Sequence, residues 1–327
     1  MQLEINPTGI DDDYLSGLNT CFSGWGDTQM AQWAFRRALI PDPLPDLLVL
    51  RLDGELLAGS AVSYRRVVLP NGSSVRAGVM TGSWTLPAAR GRGCFSRMID
   101  ASVAVTCERG GTLLLAFVTE DNPSYRQLQK AGSAVFPSWY LIADADGSAQ
   151  VAKASAERGL VVVDKTELER VLPRWTEERE GKCCFSYSRF EDWKGQFVDR
   201  PACVEAVRSE SGSFAIVERH STTDRIQAWW APSQESALEL FGELRANAQT
   251  KSRKTFGFST DSVFTAQCER IGFQRKQGYL TAIVTNWECL GQALQTTVFP
   301  ASENQALLDP ESPWFAGLWD LQTGDRV

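Results

Sequence analysis

Two Asx-Gly pairs, Asp53-Gly54 and Asn71-Gly72, constrain the fold of this chain more than any other local feature. Such pairs favour tight hairpin turns, because their residues tolerate the positive φ angles that these turns need. Each pair lies between two apolar runs. The sequence therefore predicts three antiparallel strands in a meander, at 47–52, 55–69 and 75–86.

Helical and strand patterns alternate around this meander. Before and after it we predict strands at 2–5, 112–118 and 139–143 and helices at 11–21, 28–39, 94–109 and 124–131. The second half repeats the layout more weakly, with strands at 214–219, 225–231, 254–259 and 279–285 and helices at 167–180, 188–198, 233–250 and 262–270. The order predicts a mixed α/β fold of two similar domains, each a mostly antiparallel twisted sheet flanked by helices.

A polar stretch of small residues at 144–156 separates the two halves. We place the domain boundary there, which gives a first domain at 1–148 and a second at 149–298. A tail at 299–327, with three prolines and two tryptophans, is predicted to pack on these domains. A chain of 327 residues is long enough for two domains without metal or disulfide staples.

Composition and charge narrow the classes of function. Net charge is −7, which argues against a nucleic-acid partner. The eight cysteines form no C-x-x-C pair and His220 is the one histidine, so we predict no metal site. We expect His220 to be a turn residue. No basic-then-apolar leader and no apolar run of about 18 residues is visible, so we expect a cytoplasmic protein with reduced thiols and no membrane partner.

A glycine-arginine loop joins the third meander strand to the next helix. It reads Arg90, Gly91, Arg92, Gly93. Helix N-termini carry unsatisfied amides and partial positive charge, and glycine lets a phosphate approach the backbone closely. The loop therefore indicates a pyrophosphate site, with an ordinary basic surface turn as the alternative. Its spacing matches neither G-x-G-x-x-G after a first strand nor G-x-x-x-x-G-K-[ST], which disfavours Rossmann and P-loop sites.

Residues 90–95, Arg-Gly-Arg-Gly-Cys-Phe, resemble the R/Q-x-x-G-x-G/A motif of the GNAT family of acyl-CoA-dependent N-acyltransferases. Arg90 and Gly93 match, whereas Phe95 stands where the family usually has Gly or Ala. The flanks at 79–86 and 121–132 match as well. The resemblance is strong over the first half and weak over the second, where residues 231–235, Ala-Pro-Ser-Gln-Glu, replace the glycine loop. It implies a tandem arrangement in which the degenerate second domain binds no CoA.

The resemblance implies acetyl-CoA or another acyl-CoA as co-substrate, with its pantetheine arm bonded to main-chain groups between the fourth and fifth strands. The implied cofactor-binding residues are Ser83, Trp84, Thr85, Leu86, Arg90, Gly91, Arg92, Gly93, Cys94, Phe95, Asn122 and Tyr125. It also implies an N-acetyltransferase-type enzyme in which the amine of a small molecule attacks the thioester directly. The protein then positions the amine and manages its protons.

The resemblance also locates the expected leaving-group acid, a tyrosine four residues before the glycine that ends the last helix. Leu128 holds that position in the first domain and Cys268 in the second. Tyr125, one turn earlier, is the nearest replacement, and simple packing is its alternative role. Glu120 follows the buried strand at its C-terminal end, where ligands bind in open α/β sheets. It is the candidate base, with a solvated loop carboxylate as the alternative.

Two other functions stay open at this point. A tandem GNAT-like module could bind CoA or another protein without catalysis, and the missing tyrosine and Phe95 favour it slightly. Aminoacyl or peptidyl transfer from a charged tRNA is a third reading, which the acidic charge disfavours. The sequence predicts no particular oligomeric state.

Overall fold

The structure is a computed structural model that describes residues 1–39, 41–145, 159–177, 179–187, 189–295 and 319–326. It contains two compact units. Unit 1 comprises Met1–Phe136 and the described part of Tyr279–Leu318, and unit 2 comprises Pro137–Gly278 and Trp319–Arg326. This division differs from the predicted one at residue 148, because each unit takes a strand from the other half of the sequence. Of the predicted boundary segment 144–156 and the predicted tail 299–327, residues 146–156, 299–318 and 327 lie outside the described residues.

The first half of the chain has the predicted order of elements. They are β1 (Gln2–Ile5), α1 (Asp11–Cys21), α2 (Thr28–Phe35), β2 (Asp46–Leu52), β3 (Glu55–Val68), β4 (Ser74–Thr85), a 3-10 turn (Pro87–Ala89), α3 (Cys94–Glu108), β5 (Leu113–Thr119), α4 (Pro123–Lys130) and β6 (Ala134–Ala143). Strands β1 to β4 pair antiparallel and β5 pairs parallel to β4. The predicted Asx-Gly meander is confirmed, with positive φ at Asp53, Gly54 and Gly72.

The second half repeats this layout. Its elements are β7 (Val161–Val162), α5 (Lys165–Glu177), β8 (Cys184–Ser186), α6 (Phe190–Phe197), β9 (Cys203–Arg208), β10 (Phe214–Arg219), β11 (Thr223–Trp230), α7 (Gln234–Thr250), β12 (Lys254–Ser259), α8 (Ser262–Cys268), β13 (Gln274–Val284) and α9 (Trp287–Leu294). Strands β9, β10 and β11 form an antiparallel meander, and β12 pairs parallel to β11. The sequence did not predict β7, β8, β9 or α9, and in β9 the charges in CVEAVR conceal the strand.

The last strand of each repeat completes a sheet built mostly from the other repeat. In unit 1, β13 runs beside β5, where the Thr281 hydroxyl donates to Ala116 O at 3.2 Å and Thr285 N–H donates to Thr112 O at 2.9 Å. In unit 2, Trp139–Ala143 of β6 pairs antiparallel with β12. Neither compact unit is therefore a single continuous stretch of sequence.

A buried carboxylate fixes α3 on the sheet of unit 1. Asp46 is 1% exposed, and its oxygens accept from Arg109 Nη2 at 2.8 Å, Tyr64 Oη at 2.6 Å and Asn6 Nδ2 at 2.6 Å. Burial alone would raise the pKa of Asp46, but these donors outweigh it and the pKa is lowered. Because Arg109 directly follows α3, the ion pair anchors the C-terminal end of this helix to the start of β2. Among the described residues, no helix is long and apolar enough to cross a membrane.

Candidate functional site

Strands β4 and β5 separate towards the C-terminal end of β4. They pair from Ala77 and Leu113 to Met80 and Ala116. Beyond this point β4 is bulged, and its register against β3 shifts between Gly59 and Ala61. Residues 81–85 of β4 are thus unpaired with β5, and we call the opening between them and the end of β5 the wedge of unit 1.

Gly82 makes the bulge possible. Its φ is 54°, and a Cβ at this position would lie 2.8 Å from Phe35 Cζ. Its carbonyl accepts from the Tyr14 hydroxyl at 2.8 Å, which ties the bulge to α1. A left-handed backbone in a crowded place requires glycine, so Gly82 allows β4 to form the bulge.

The residues at 83–86, which the resemblance implies as cofactor-binding, differ in how they are placed relative to the opening. Leu86 N–H donates to Leu57 O at 2.9 Å, so it is bonded within the sheet. Because antiparallel ladders alternate, the N–H of Thr85 points away from β3, towards the opening. The Trp84 side chain is 2% exposed and packs edge-on against Tyr14, and by the same alternation its main-chain groups face β3 and not the opening. Ser83 Oγ lies 2.8 Å from Ser60 Oγ.

The N-terminus of α3 lies open to solvent. Gly93 is its N-cap in the left-handed region at φ 76°, and no side chain caps this helix. Gly91 has φ 77°, and a Cβ on either glycine would meet open space, so φ rather than crowding selects glycine here. Arg90 and Arg92 are exposed beside the free amides. Such a turn combines the donors and the partial positive charge that an anion requires.

The first two residues of α3 point into the protein. Cys94 is 2% exposed, and its thiol donates to Ala89 O at 3.6 Å. Phe95 is half-buried and packs against the core beneath α3 and α4. The large side chain at the position where the family has Gly or Ala is therefore accommodated by the core.

Unit 2 arranges the equivalent parts differently. Helix α7 is capped by its own Ser233, whose Oγ accepts from Ser236 N at 3.1 Å. Strands β11 and β12 also separate, after Arg225 and Phe256. There the side chain of Gln322 bonds to the main chain of Trp229. Neither the open amides nor the open wedge of unit 1 is reproduced.

The residues after β5 surround the start of α4. Glu120 is exposed, and Asn122 Oδ1 accepts from Ser124 N at 3.0 Å as the N-cap of α4. Leu128 is 2% exposed within the core, so its position supplies no acid. Tyr125 is half-buried, and its hydroxyl accepts from Gln129 Nε2 at 3.1 Å.

Tyr279 is a candidate site residue that the sequence did not reveal. Its ring stacks on that of Tyr125, with centroids 4.4 Å apart and planes 7° from parallel. Burial first, and then the neighbouring Tyr125 and Glu120 side chains, raise the pKa of the Tyr279 hydroxyl. The three side chains thus form one polar group at the end of β5. No local pattern signals this group, because Tyr279 belongs to the last strand of the second repeat.

The comparison with protein families gives a match within unit 1. Residues 11–129 match the family model for the acetyltransferase (GNAT) domain. A comparison with curated proteins finds no match.

Solved structures share the fold over most of the chain. A GCN5-related N-acetyltransferase from Anabaena variabilis is 16% identical, with a TM-score of 0.60 over 87% of this chain and 73% of its own. A tandem GNAT protein from the clavulanic acid biosynthesis pathway is 15% identical, with a TM-score of 0.60 over 87% and 99%. An N-myristoyltransferase from Saccharomyces cerevisiae, with bound myristoyl-CoA and inhibitors, is 11% identical, with a TM-score of 0.60 over 86% and 79%.

These matches confirm the predicted resemblance and the mixed α/β fold. The family model lies within unit 1, where β4, the glycine loop and α3 form the open site. The structural likeness extends into the second half of the chain. Residues 11–129 are a domain of the GNAT acetyltransferase family, within a chain that has the fold of tandem GNAT proteins.

Proposed function

We propose that this chain is an acyl-CoA-dependent N-acyltransferase that transfers an acyl group, acetyl in the simplest case, to the amine of a small molecule. The observation that carries this proposal is the contrast between two equivalent helices. Helix α3 begins with left-handed glycines and uncapped amides beside an open wedge, whereas α7 caps itself with Ser233. Unit 1 therefore offers free helix amides for a pyrophosphate and an unpaired stretch of β4 for a pantetheine arm.

The acyl-CoA is assigned to the open site of unit 1. Its pyrophosphate would accept from the first amides of α3, with Arg90 and Arg92 adding positive charge. Its pantetheine arm would enter the wedge beside the outward N–H of Thr85. The bound myristoyl-CoA of the yeast N-myristoyltransferase, which has the same fold, supports an acyl-CoA as the class of donor.

The group formed by Glu120, Tyr125 and Tyr279 would manage the protons. The neutral amine attacks the thioester carbonyl, a C–N bond forms, and the C–S bond breaks as CoA leaves. The amine loses one proton, which Glu120 accepts through water, and the thiolate gains one from a phenol or from water. A CoA thiol has a pKa near that of cysteine, so thiolate departure needs no strong acid.

The experiment measures CoA binding by calorimetry, and free CoA with acylated product by chromatography, across a panel of amines. Wild-type protein should bind CoA and acylate at least one amine. Arg90→Glu combined with Gly93→Asp should abolish CoA binding, because it places negative charge at the amides of α3. Ser233→Ala at the start of α7 is the matched control and should leave CoA binding unchanged.

Two outcomes would contradict the proposal. Retained CoA binding in the double variant would remove the assigned site. CoA binding without transfer to any amine, including peptide amines, would favour the non-catalytic CoA-binding module instead.

A further inference from the structure

The segment Trp319–Arg326 enters unit 2 at the point where β11 and β12 separate. The Gln322 carboxamide bonds both main-chain groups of one residue on β11. Trp229 N–H donates to Oε1 at 2.9 Å, and Nε2 donates to Trp229 O at 3.0 Å. On the other side, Gln322 forms an antiparallel bridge with Ser259 of β12. One residue thus spans the gap between two diverging strands.

Buried ion pairs hold the segment on both sides of Gln322. The Arg179 side chain is 3% exposed, and its Nε lies 3.1 Å from Asp320 Oδ2. The same guanidinium lies 3.4 Å from Asp325 Oδ2, and Tyr187 Oη donates to Asp325 Oδ1 at 2.9 Å. Buried charges of this kind are stable only when they are paired, so Asp320 and Asp325 fix the segment in one register.

The backbone of the segment is packed as closely as a core strand. Gly324 O accepts from Gln196 Nε2 at 2.6 Å, and a Cβ on Gly324 would lie 2.4 Å from Phe197 Cδ1. Leu321 and Asp325 are 0% exposed. The segment therefore occupies a shaped groove and does not lie loosely on the surface.

We propose that the opening between β11 and β12 is a peptide-binding groove whose ligand is the chain's own segment Trp319–Arg326. The Gln322 carboxamide bonds main-chain groups at the place where, in unit 1, the proposed pantetheine arm would do so. This occupant excludes a second acyl-CoA from unit 2 and makes the chain a one-acyl-CoA protein. The exclusion of acyl-CoA rests on the proposed function, whereas the groove and its occupant do not.

Hydrogen–deuterium exchange on the full chain tests the groove. Gln322→Ala removes both bonds to Trp229, and one of them is made by the Trp229 amide N–H. Loss of that one bond should make exchange in peptides covering 226–231 about tenfold faster. Gln292→Ala on the exposed side of α9 is the control and should leave those peptides unchanged. Unchanged exchange at 226–231 in Gln322→Ala would overturn the proposal.

A second variant covers the case in which Gln322→Ala does not fold. Asp325→Asn keeps the shape of the side chain but removes the charge that faces Arg179. Exchange in 319–326 should rise in this variant, and unchanged protection there would count against a groove held by these ion pairs.

The number of bound CoA molecules tests the exclusion. Calorimetry should give one CoA per wild-type chain and none for Arg90→Glu with Gly93→Asp, and a stoichiometry of two would overturn the exclusion. No CoA binding at all in wild type would refute the proposed function. The exchange experiment would then still decide whether the groove holds the segment.

Discussion

At the scale of single residues, the stacked phenols are the feature with the sharpest consequence. Tyr125 was predicted as a candidate acid and Glu120 as a candidate base, and each stays a prediction. The structure adds Tyr279, whose ring stacks on that of Tyr125 and whose hydroxyl has a pKa raised by burial, Tyr125 and Glu120. Because its pKa is raised, this hydroxyl stays protonated to higher pH than an ordinary tyrosine.

We expect Tyr279→Phe to keep the ring stack and to lower kcat by roughly ten- to a hundredfold, with the KM for acyl-CoA unchanged. The variant removes a proton carrier, and a single acid or base contributes about 10²–10⁴-fold. Activity should stay above background, because positioning can supply about 7–11 kcal/mol. The measurement is kcat against pH with one good amine, for this variant and for Tyr125→Phe and Glu120→Gln.

Tyr279→Leu separates packing from chemistry. If Tyr279 only packs, Tyr279→Phe will have the wild-type pH profile and only Tyr279→Leu will lose activity. A fall to the uncatalysed rate in Glu120→Gln or Tyr125→Phe, with acyl-CoA affinity intact, would instead reveal one indispensable catalytic group.

Cys268 gives a pH-dependent test of stability. All eight cysteines are free, and Cys268 is buried. Burial first, and then Asp261, raises its thiol pKa to about 12. The folded state thus favours the protonated thiol. Its contribution to stability is complete below about pH 9, the unfolded pKa, and is lost as pH rises towards 12.

We expect the free energy of unfolding to fall above pH 9, with Cys268 contributing up to about 1.4 kcal/mol per pH unit. Cys268→Ala should make the decline between pH 9 and 10.5 shallower, because alanine has no proton to lose. Urea unfolding at several pH values measures this, with the exposed Cys289→Ala as control. An equal slope in wild type and Cys268→Ala would contradict the assignment.

At the scale of elements, α1 packs directly on the part of β4 that borders the wedge. Gly17 of α1 lies against the Trp84 ring, and a Cβ there would be 2.5 Å from Trp84 Cη2. Trp84 directly follows the bulged part of β4. Close packing of this glycine therefore couples the first helix to the strand that borders the site.

Gly17→Ala should destabilise the protein by about 1–3 kcal/mol, because overpacking outweighs the gain in helix propensity. It should also weaken CoA binding, since the ring must shift against β4. Gly242→Ala in α7 is the matched control, because no atom lies within 4 Å of the added Cβ. It should stabilise by about 0.5–1 kcal/mol and leave CoA binding unchanged. Thermal or urea unfolding with calorimetry measures both, and equal effects would contradict this account.

At the scale of the whole molecule, each compact unit contains the last strand of the other repeat, and this decides which fragments can fold. The sheet of unit 1 includes the part of β13 that starts at Tyr279, so a fragment of residues 1–148 lacks one of its strands. The exposed edge of β5 would then leave backbone groups unpaired.

We expect the 1–148 fragment to show no cooperative unfolding transition. The same fragment with residues 279–295 joined through a flexible Gly-Ser linker should regain one. Circular dichroism and amide NMR spectra measure both. Cooperative folding of 1–148 alone would support the division predicted from the sequence as the true folding boundary.

Local features of the fold followed from the sequence because their causes are local. Asp53-Gly54 fixes a turn through its own φ preferences, and Gly91 and Gly93 fix the open start of α3 in the same way. The apolar periodicities placed most helices and strands within a few residues. One exception is the end of α2, predicted at 39 and observed at Phe35, after which Arg36 leaves the helix and pairs with Asp11.

What the sequence alone determined is the order of elements in the first half, their partial repeat in the second half, and the glycine loop. Tertiary structure alone decided that Tyr279 stacks on Tyr125, that β13 completes the sheet of unit 1, and that Gln322 fills the groove of unit 2. The physical reason is that such contacts join residues far apart in the chain. They are selected by burial and by the pairing of polar groups across the assembled fold, and neither leaves a pattern in a short window of sequence.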